Sequence, residues 1–152
     1  VLSGLVLNVN YTHAFSKAKY PYTIVGSTGY PYYKPVYTDS TYSDRLINQP
    51  DDIVNVSLGW DYKGFSALVS MIYQSSIFNS TDYWNANRTD KAEYLRWDIV
   101  MKQQLPWYNM EVFMNLNNLN SENDTYVVRG NHFNDTDESY GLTAEMGFRI
   151  KL

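Results

Sequence analysis

The stretch Tyr140-Gly141-Leu142-Thr143-Ala144-Glu145-Met146-Gly147-Phe148-Arg149-Ile150-Lys151-Leu152 places the tightest limit on how the chain can fold. Tyr140, Leu142, Ala144, Met146, Phe148, Ile150 and Leu152 form one set. Gly141, Thr143, Glu145, Gly147, Arg149 and Lys151 form the other. One set is apolar and the other is charged, polar or glycine. Side chains that alternate with a period of two lie on opposite faces of a β-strand. Such a strand must place its two faces in different surroundings. A helix would smear this pattern around its whole circumference.

The same alternation recurs along the chain. Leu5, Leu7, Val9, Tyr11 and Phe15 mark a strand over residues 3–17, with His13 the one polar residue on its apolar face. Residues 18–50 hold four of the prolines and read as a loop or a short hairpin. Tyr20, Tyr22, Tyr30, Tyr32, Tyr33, Tyr37 and Tyr42 all fall there. A second strand over 53–61 alternates Val54, Val56, Leu58 and Trp60 with polar residues. Lys63-Gly64 makes a two-residue turn, with glycine free to take positive φ. That turn leads into a third strand over 65–74, with Phe65, Ala67, Val69, Met71 and Tyr73 against Ser66, Leu68, Ser70, Ile72 and Gln74. It predicts Tyr62 opposite Phe65, Trp60 opposite Ala67, Leu58 opposite Val69 and Val56 opposite Met71. Residues 78–91 read as polar loop.

A fourth strand carries Leu95, Trp97, Ile99 and Met101 on one face and Arg96, Asp98, Val100 and Lys102 on the other. A tight turn over Leu105, Pro106, Trp107 and Tyr108 leads to a fifth strand, Met110 to Asn117. A turn centred on Pro106-Trp107 predicts Met101 opposite Val112, Ile99 opposite Met114, Trp97 opposite Leu116 and an ion pair of Lys102 with Glu111. Residues 118–139 read as a third polar loop before the last strand.

Six strands of about ten residues, joined by alternately long and very short connections, match an antiparallel up-and-down transmembrane β-barrel. No apolar run approaches the ~18 residues of a transmembrane helix, so any membrane span must be β. Aromatics gather at both strand ends: Trp60, Tyr62, Phe65, Trp107 and Tyr108 near the short turns, Tyr11, Phe15, Tyr73 and Tyr140 near the long connections. Girdles of this kind suit the two bilayer interfaces. Val56, Val69, Ile99 and Met114 are expected to face lipid.

With this order and spacing, the chain resembles TonB-dependent outer-membrane receptors. The segment from Gln49 through Asp61-Tyr62-Lys63-Gly64-Phe65 to Ala67 is similar to their penultimate hairpins. The Asn-Leu-Asn-Asn-Leu-Asn run at Asn115 to Asn120 is similar to the end of their second-last strand, and Tyr140 to Leu152 to their terminal strand. The chain departs from the family in ending on Leu152, where phenylalanine is usual. The resemblance implies that residues 1–152 are a partial barrel domain, the C-terminal wall of a 22-stranded type, without the plug domain. It implies energised uptake of a scarce ligand such as a siderophore, cobalamin or an oligosaccharide. The implied partners are outer-membrane lipid, the remaining strands, the plug and a periplasmic energy-coupling protein. The bacterial outer membrane is the implied location.

Candidate site residues follow from position. Tyr30, Tyr32, Tyr33 and Tyr37 offer apolar ring faces with hydroxyls on an outer loop, suited to ligand capture or to self-packing. Arg96, Asp98, Lys102, Glu111, Glu145 and Arg149 are lumen-facing charges that either meet substrate or plug, or pair with one another. Asn134, Asp135, Asp137 and Glu138 supply oxygen donors without a calcium-loop motif. His13 and His132 lack partners at zinc spacing, so no metal is expected. Gly26-Ser27-Thr28-Gly29 lacks the lysine of a phosphate loop. The net charge of −4 gives no footprint for nucleic acid. No cofactor is called for, and no nucleophile–base set can be assembled, which argues against an enzyme. A soluble all-β, Tyr-rich carbohydrate-binding module and a small self-contained outer-membrane barrel or adhesin are the competing readings.

Overall fold

The computed structural model describes residues 4–107 and 109–150. They form twelve antiparallel strands in three sheets. β1 (Leu5–His13), β4 (Asp52–Tyr62), β5 (Phe65–Gln74), β8 (Tyr94–Gln104), β9 (Met110–Asn117) and β12 (Thr143–Ile150) make a six-stranded sheet in that order, here called the wall. Its alternation obeys the expected phase. Leu7, Leu58, Val69, Ile99, Leu116 and Ala144 form one continuous cross-strand row. Leu5, Trp60, Ala67, Met101, Met114 and Met146 form the next but one. Cross-strand neighbours of like character stabilise a sheet by tenths to about 1 kcal/mol each.

The β4–β5 register is the expected one at all four pairs. Lys63 and Gly64 take φ 47° and 80°, as a type I′ turn requires. The β8–β9 register is displaced by two residues from the expected one. Ile99 opposes Leu116 and Met101 opposes Met114, while Lys102 faces Phe113 and Glu111 faces Gln104. The cause is Pro106: its ring fixes φ near −65°, so it cannot sit at the centre of a two-residue primed turn. The chain makes a longer connection closed by the Leu105 N–H on the Met110 carbonyl, with the positive φ at Asn109. A slip of two leaves every side chain on its original face. Tyr108 and Lys151–Leu152 of the sequence-based reading lie outside the described residues.

Residues 18–50 take the hairpin alternative, and the two connections expected as polar loops also contain strands. Residues 18–50 contain an 11-residue-strand hairpin, β2 (Ala18–Thr28) with β3 (Lys34–Asp44). Its prolines are compatible with strands because of their phase. The Val25 N–H donates to the Tyr83 hydroxyl at 2.8 Å, so it points out of the hairpin. Pro21 in β2 and Pro35, opposite Ser27, fall at the same phase, where no ladder donor is needed. The second and third connections supply β6 (Ile77–Ser80), β7 (Thr89–Lys91), β10 (Asn123–Val128) and β11 (Asn134–Ser139). These join in one sheet of order β11-β10-β7-β6, by pairing β7 with β10 across connections. The first strand is also shorter than expected, ending at His13, and the last begins at Thr143.

The topology puts all three insertions at one end of the wall, forming a cap, and the short turns at the other. Among the described residues none in the six wall strands is buried. The buried apolar residues, Ile77 and Phe78, are in the cap. No helix among the described residues is long and apolar enough to cross a membrane.

Candidate functional site

The seven tyrosines of residues 18–50 separate into two groups. Tyr20, Tyr22 and Tyr42 lie on one face of the hairpin base, by the register Tyr20–Tyr42 and Tyr22–Ser40. There they join the cap core. Tyr20 meets Tyr42 at 5.4 Å between ring centroids and stands edge-on to Phe78 at 5.5 Å. Tyr22 contacts Tyr42 and Tyr83, and Tyr83 meets Trp84 edge-on at 4.7 Å. Phe78 is 0% exposed at the centre of this cluster.

Tyr30, Tyr32, Tyr33 and Tyr37 make the second group. Tyr30, Tyr32 and Tyr33 sit at the hairpin tip and Tyr37 on β3 opposite Val25. Every residue from 24 to 39 is exposed, and Tyr30 and Tyr32 are 88% and 82% exposed. Tyr30 and Tyr33 touch only edge-on, at 6.5 Å. The four candidate rings therefore project from the molecule on a two-stranded arm, with Ile24, Val25 and Val36 exposed beside them. This convex surface contrasts with the concave sites that enclose small ligands. Its Tyr, Ser and Gly content provides large rigid contact area with adaptable hydrogen bonding.

Below the cap, the polar wall face carries the six candidate charges. Arg96 and Asp98, two apart on β8, pair at 3.0 Å. Asp98 also accepts the Asn118 backbone N–H at 2.9 Å. Arg149 pairs with Glu111 at 3.3 Å across β9–β12. That contact stands where the sequence-based reading put Lys102. Glu145 accepts from the Asn115 amide at 3.2 Å. Lys102 forms no ion pair among the described residues and lies beside Ser66 and Phe113. The face is not uniformly polar: Val6, Gly59, Leu68 and Val100 form one apolar row across it. These residues line an open cavity of about 330 Å³ near the short-turn end.

On the opposite, apolar face, aromatics collect near the short turns. Trp60 stacks on Tyr62 at 5.8 Å and meets Phe65 edge-on at 5.9 Å. At the cap end of this face the Tyr11 hydroxyl donates to Asp52 at 2.7 Å. The Tyr73 hydroxyl donates to Glu93 at 3.1 Å. His13 Nδ1 lies 2.8 Å from the same Asp52 oxygen.

Two groups of residues escaped the reading from sequence. Asn118, at φ 58°, ends β9, and its amide bonds the Glu122 and Gly141 carbonyls and accepts from the Glu122 N–H. Asn tolerates positive φ, so the Asn-Leu-Asn-Asn-Leu-Asn run doubles as a strand stop. The other group is ionic. Arg129 chelates Asp90 through Nε and Nη2, both at 2.7 Å, and reaches Asp44 through Nη1 at 2.6 Å. Arg45 bonds the Ser76 carbonyl at 2.8 Å and pairs with Asp51 at 3.3 Å. Burial alone pushes the Asp44 carboxyl up, but hydrogen bonds from Arg129 and the Arg45 backbone outweigh it and hold the group below the usual carboxylate range. Burial likewise pushes Lys91 down, and its bond to Asp124 outweighs that and raises it. Among the described residues no cluster of His, Cys, Asp and Glu could hold a metal. Asp135, Asp137 and Glu138 spread along the exposed edge strand β11, where Thr125 and Tyr140 hydroxyls bond Asp137 and Glu138.

Compared with protein-family models, curated proteins and solved structures, the chain has no match.

Proposed function

We propose that this chain forms part of the wall of a bacterial outer-membrane β-barrel receptor. Its role is binding and passage of a scarce ligand, not catalysis. One observation carries the reading: a single-layer antiparallel sheet has an apolar face with continuous cross-strand rows, and no layer of the described chain covers it. A soluble module of this size would bury that face. Water penalises exposed apolar area by roughly 25 cal/mol per Å², whereas lipid does not. Short turns at one end, long insertions at the other and aromatics near both ends agree with a barrel wall.

Within this reading the polar face lines the lumen, and the insertions cover its outer mouth. The tyrosine arm is the first surface an incoming ligand or carrier meets. The outer edges of β1 and β12 are unpaired among the described residues. In hydrocarbon each unpaired N–H or C=O costs several kcal/mol, so both edges need strands from the remainder of a barrel. A plug in the lumen and a periplasmic energy-coupling protein would be further partners of the whole receptor.

Topology tests the proposal. The chain has no cysteine, so single cysteines report without background. A membrane-impermeant thiol reagent on intact cells should label cysteines placed at Tyr32, Asn87 and Asn131. It should spare one at Lys63 until the outer membrane is opened. Labelling at position 63 in intact cells contradicts the reading.

A further inference from the structure

We infer that the three wall insertions move as one rigid cap, latched by Arg129. The side chain of this residue joins all three. It follows β10 in the third insertion, chelates Asp90 of β7 in the second and bonds Asp44 of β3 in the first. Its guanidinium also lies over the Phe78 ring at 4.7 Å. The positions are 39 and 85 residues away in sequence, so no local turn explains the meeting. Planar chelation of a carboxylate suits Arg and not Lys, whose ammonium is a point charge.

Three further contacts make the latch stiff. The Arg129 N–H donates to the Arg88 carbonyl and the Gly130 N–H to the Ala86 carbonyl, at 2.9 and 2.8 Å. Gly130 permits this approach, since an added Cβ would come within 2.5 Å of the Ala86 Cβ. Arg88, itself buried, places its guanidinium carbon over the Tyr42 ring, 3.3 Å from its centroid. The backbone of the third insertion is thus clamped to the second, and the second is clamped to the hairpin base. A load on the exposed tyrosine arm would pass through Asp44 to Arg129 and displace β7 and β10 together.

The charged groups facing the latch are Asp44, Asp51 and Asp90 against Arg45, Arg88 and Arg129, with Tyr42 between. These carboxylates and guanidinia balance. Asp44 is held below its ordinary value, so its contribution is complete above about pH 4, where the unfolded carboxyl ionises, and disappears as pH falls through the lower folded value. The latch therefore stays closed across the neutral range and is not an acid sensor there. The inference is independent of whether the apolar wall face meets lipid.

Spin labels on cysteines replacing Thr41 in β3 and Asn131 after β10, in the full-length protein, test it. The wild-type background should give one narrow interlabel distance, unchanged between about pH 5 and 8. Arg129→Gln should lose it and give a broad distribution. Asp44→Asn, which leaves the Arg129–Asp90 chelate intact, should also broaden it. It decides the matter if Arg129→Gln does not assemble. Arg149→Gln in the wall should leave the distance narrow. A narrow distance retained in Asp44→Asn overturns the latch. So does a broad one already present in the wild-type background.

Discussion

In the cap, the Phe78 ring is 0% exposed among Tyr20, Arg129 and β7. In the wall, Met146, in line with five apolar neighbours, is 77% exposed. Both regions are antiparallel sheet. They differ in what completes them. The cap carries both sides of its own contacts: aromatic on aromatic, arginine on carboxylate, insertion on insertion. The wall supplies its backbone ladders and one face of an apolar contact, and leaves the other face to its surroundings. Strand pattern alone therefore does not say where a protein's core is. Alternation says only that the two faces of a strand have different surroundings.

The largest expected difference is at the cap centre. Phe78→Ala should leave a cavity and cost about 3–5 kcal/mol. Amide hydrogen exchange should then rise throughout β6, β7 and β10. Met146→Ala should leave those amides unchanged. If the two substitutions loosen the cap alike, the cap has no core of its own.

A smaller effect separates the two wall faces. Val56→Arg should cost roughly 2–4 kcal/mol in lipid-assembled protein, whereas Ser57→Arg, one residue on and on the polar face, should be much milder. A folding titration in lipid vesicles measures both. Equal penalties would mean that the two faces meet the same surroundings.

How much of this was legible in the sequence follows from the range of each interaction. The wall strands could be read because alternation is a local signal and because a two-residue turn sets register. Tyr62–Phe65 through Val56–Met71 were therefore identifiable pair by pair. At Pro106 the same reasoning chose too short a turn, and the register slipped by two with every face still correct. The cap could not be read. β7 has three residues, and β11 is Asn-Asp-Thr-Asp-Glu-Ser, a polar run without alternation. β7 is a strand because of β10 in another connection, and β11 because it folds back on β10 as the edge of a hairpin. For residues 18–50 the prolines left a loop and a short hairpin both open, and their edge phase permits the hairpin, longer than expected. The four candidate tyrosines lie on the exposed arm, but nothing local shows that Tyr20 instead packs on Phe78 in the cap core. Arg129 carried no signal, since its carboxylates come from other insertions.

The smallest expected effect is on the polar wall face. Arg149 is well exposed beside Glu111, and exposed pairs contribute about 0–1 kcal/mol. Arg149→Gln should shift stability by no more than that, and less in high salt. A loss comparable to Val56→Arg would mean that the pair is held far more tightly than an exposed pair on this sheet.

In the proposed function the two wall faces meet lipid and water respectively. Nitroxide labels placed one at a time from position 66 to 71 along β5, in the protein reconstituted in bilayers, measure this most directly. Collision rates with oxygen, which concentrates in hydrocarbon, should peak at Ala67, Val69 and Met71. Rates with a water-soluble nickel chelate should peak at Ser66, Leu68 and Ser70. Two profiles of period two, opposite in phase, are the expected result. Nickel access that is high at Val69, or both profiles low and flat as in a protein-covered sheet, would contradict the account.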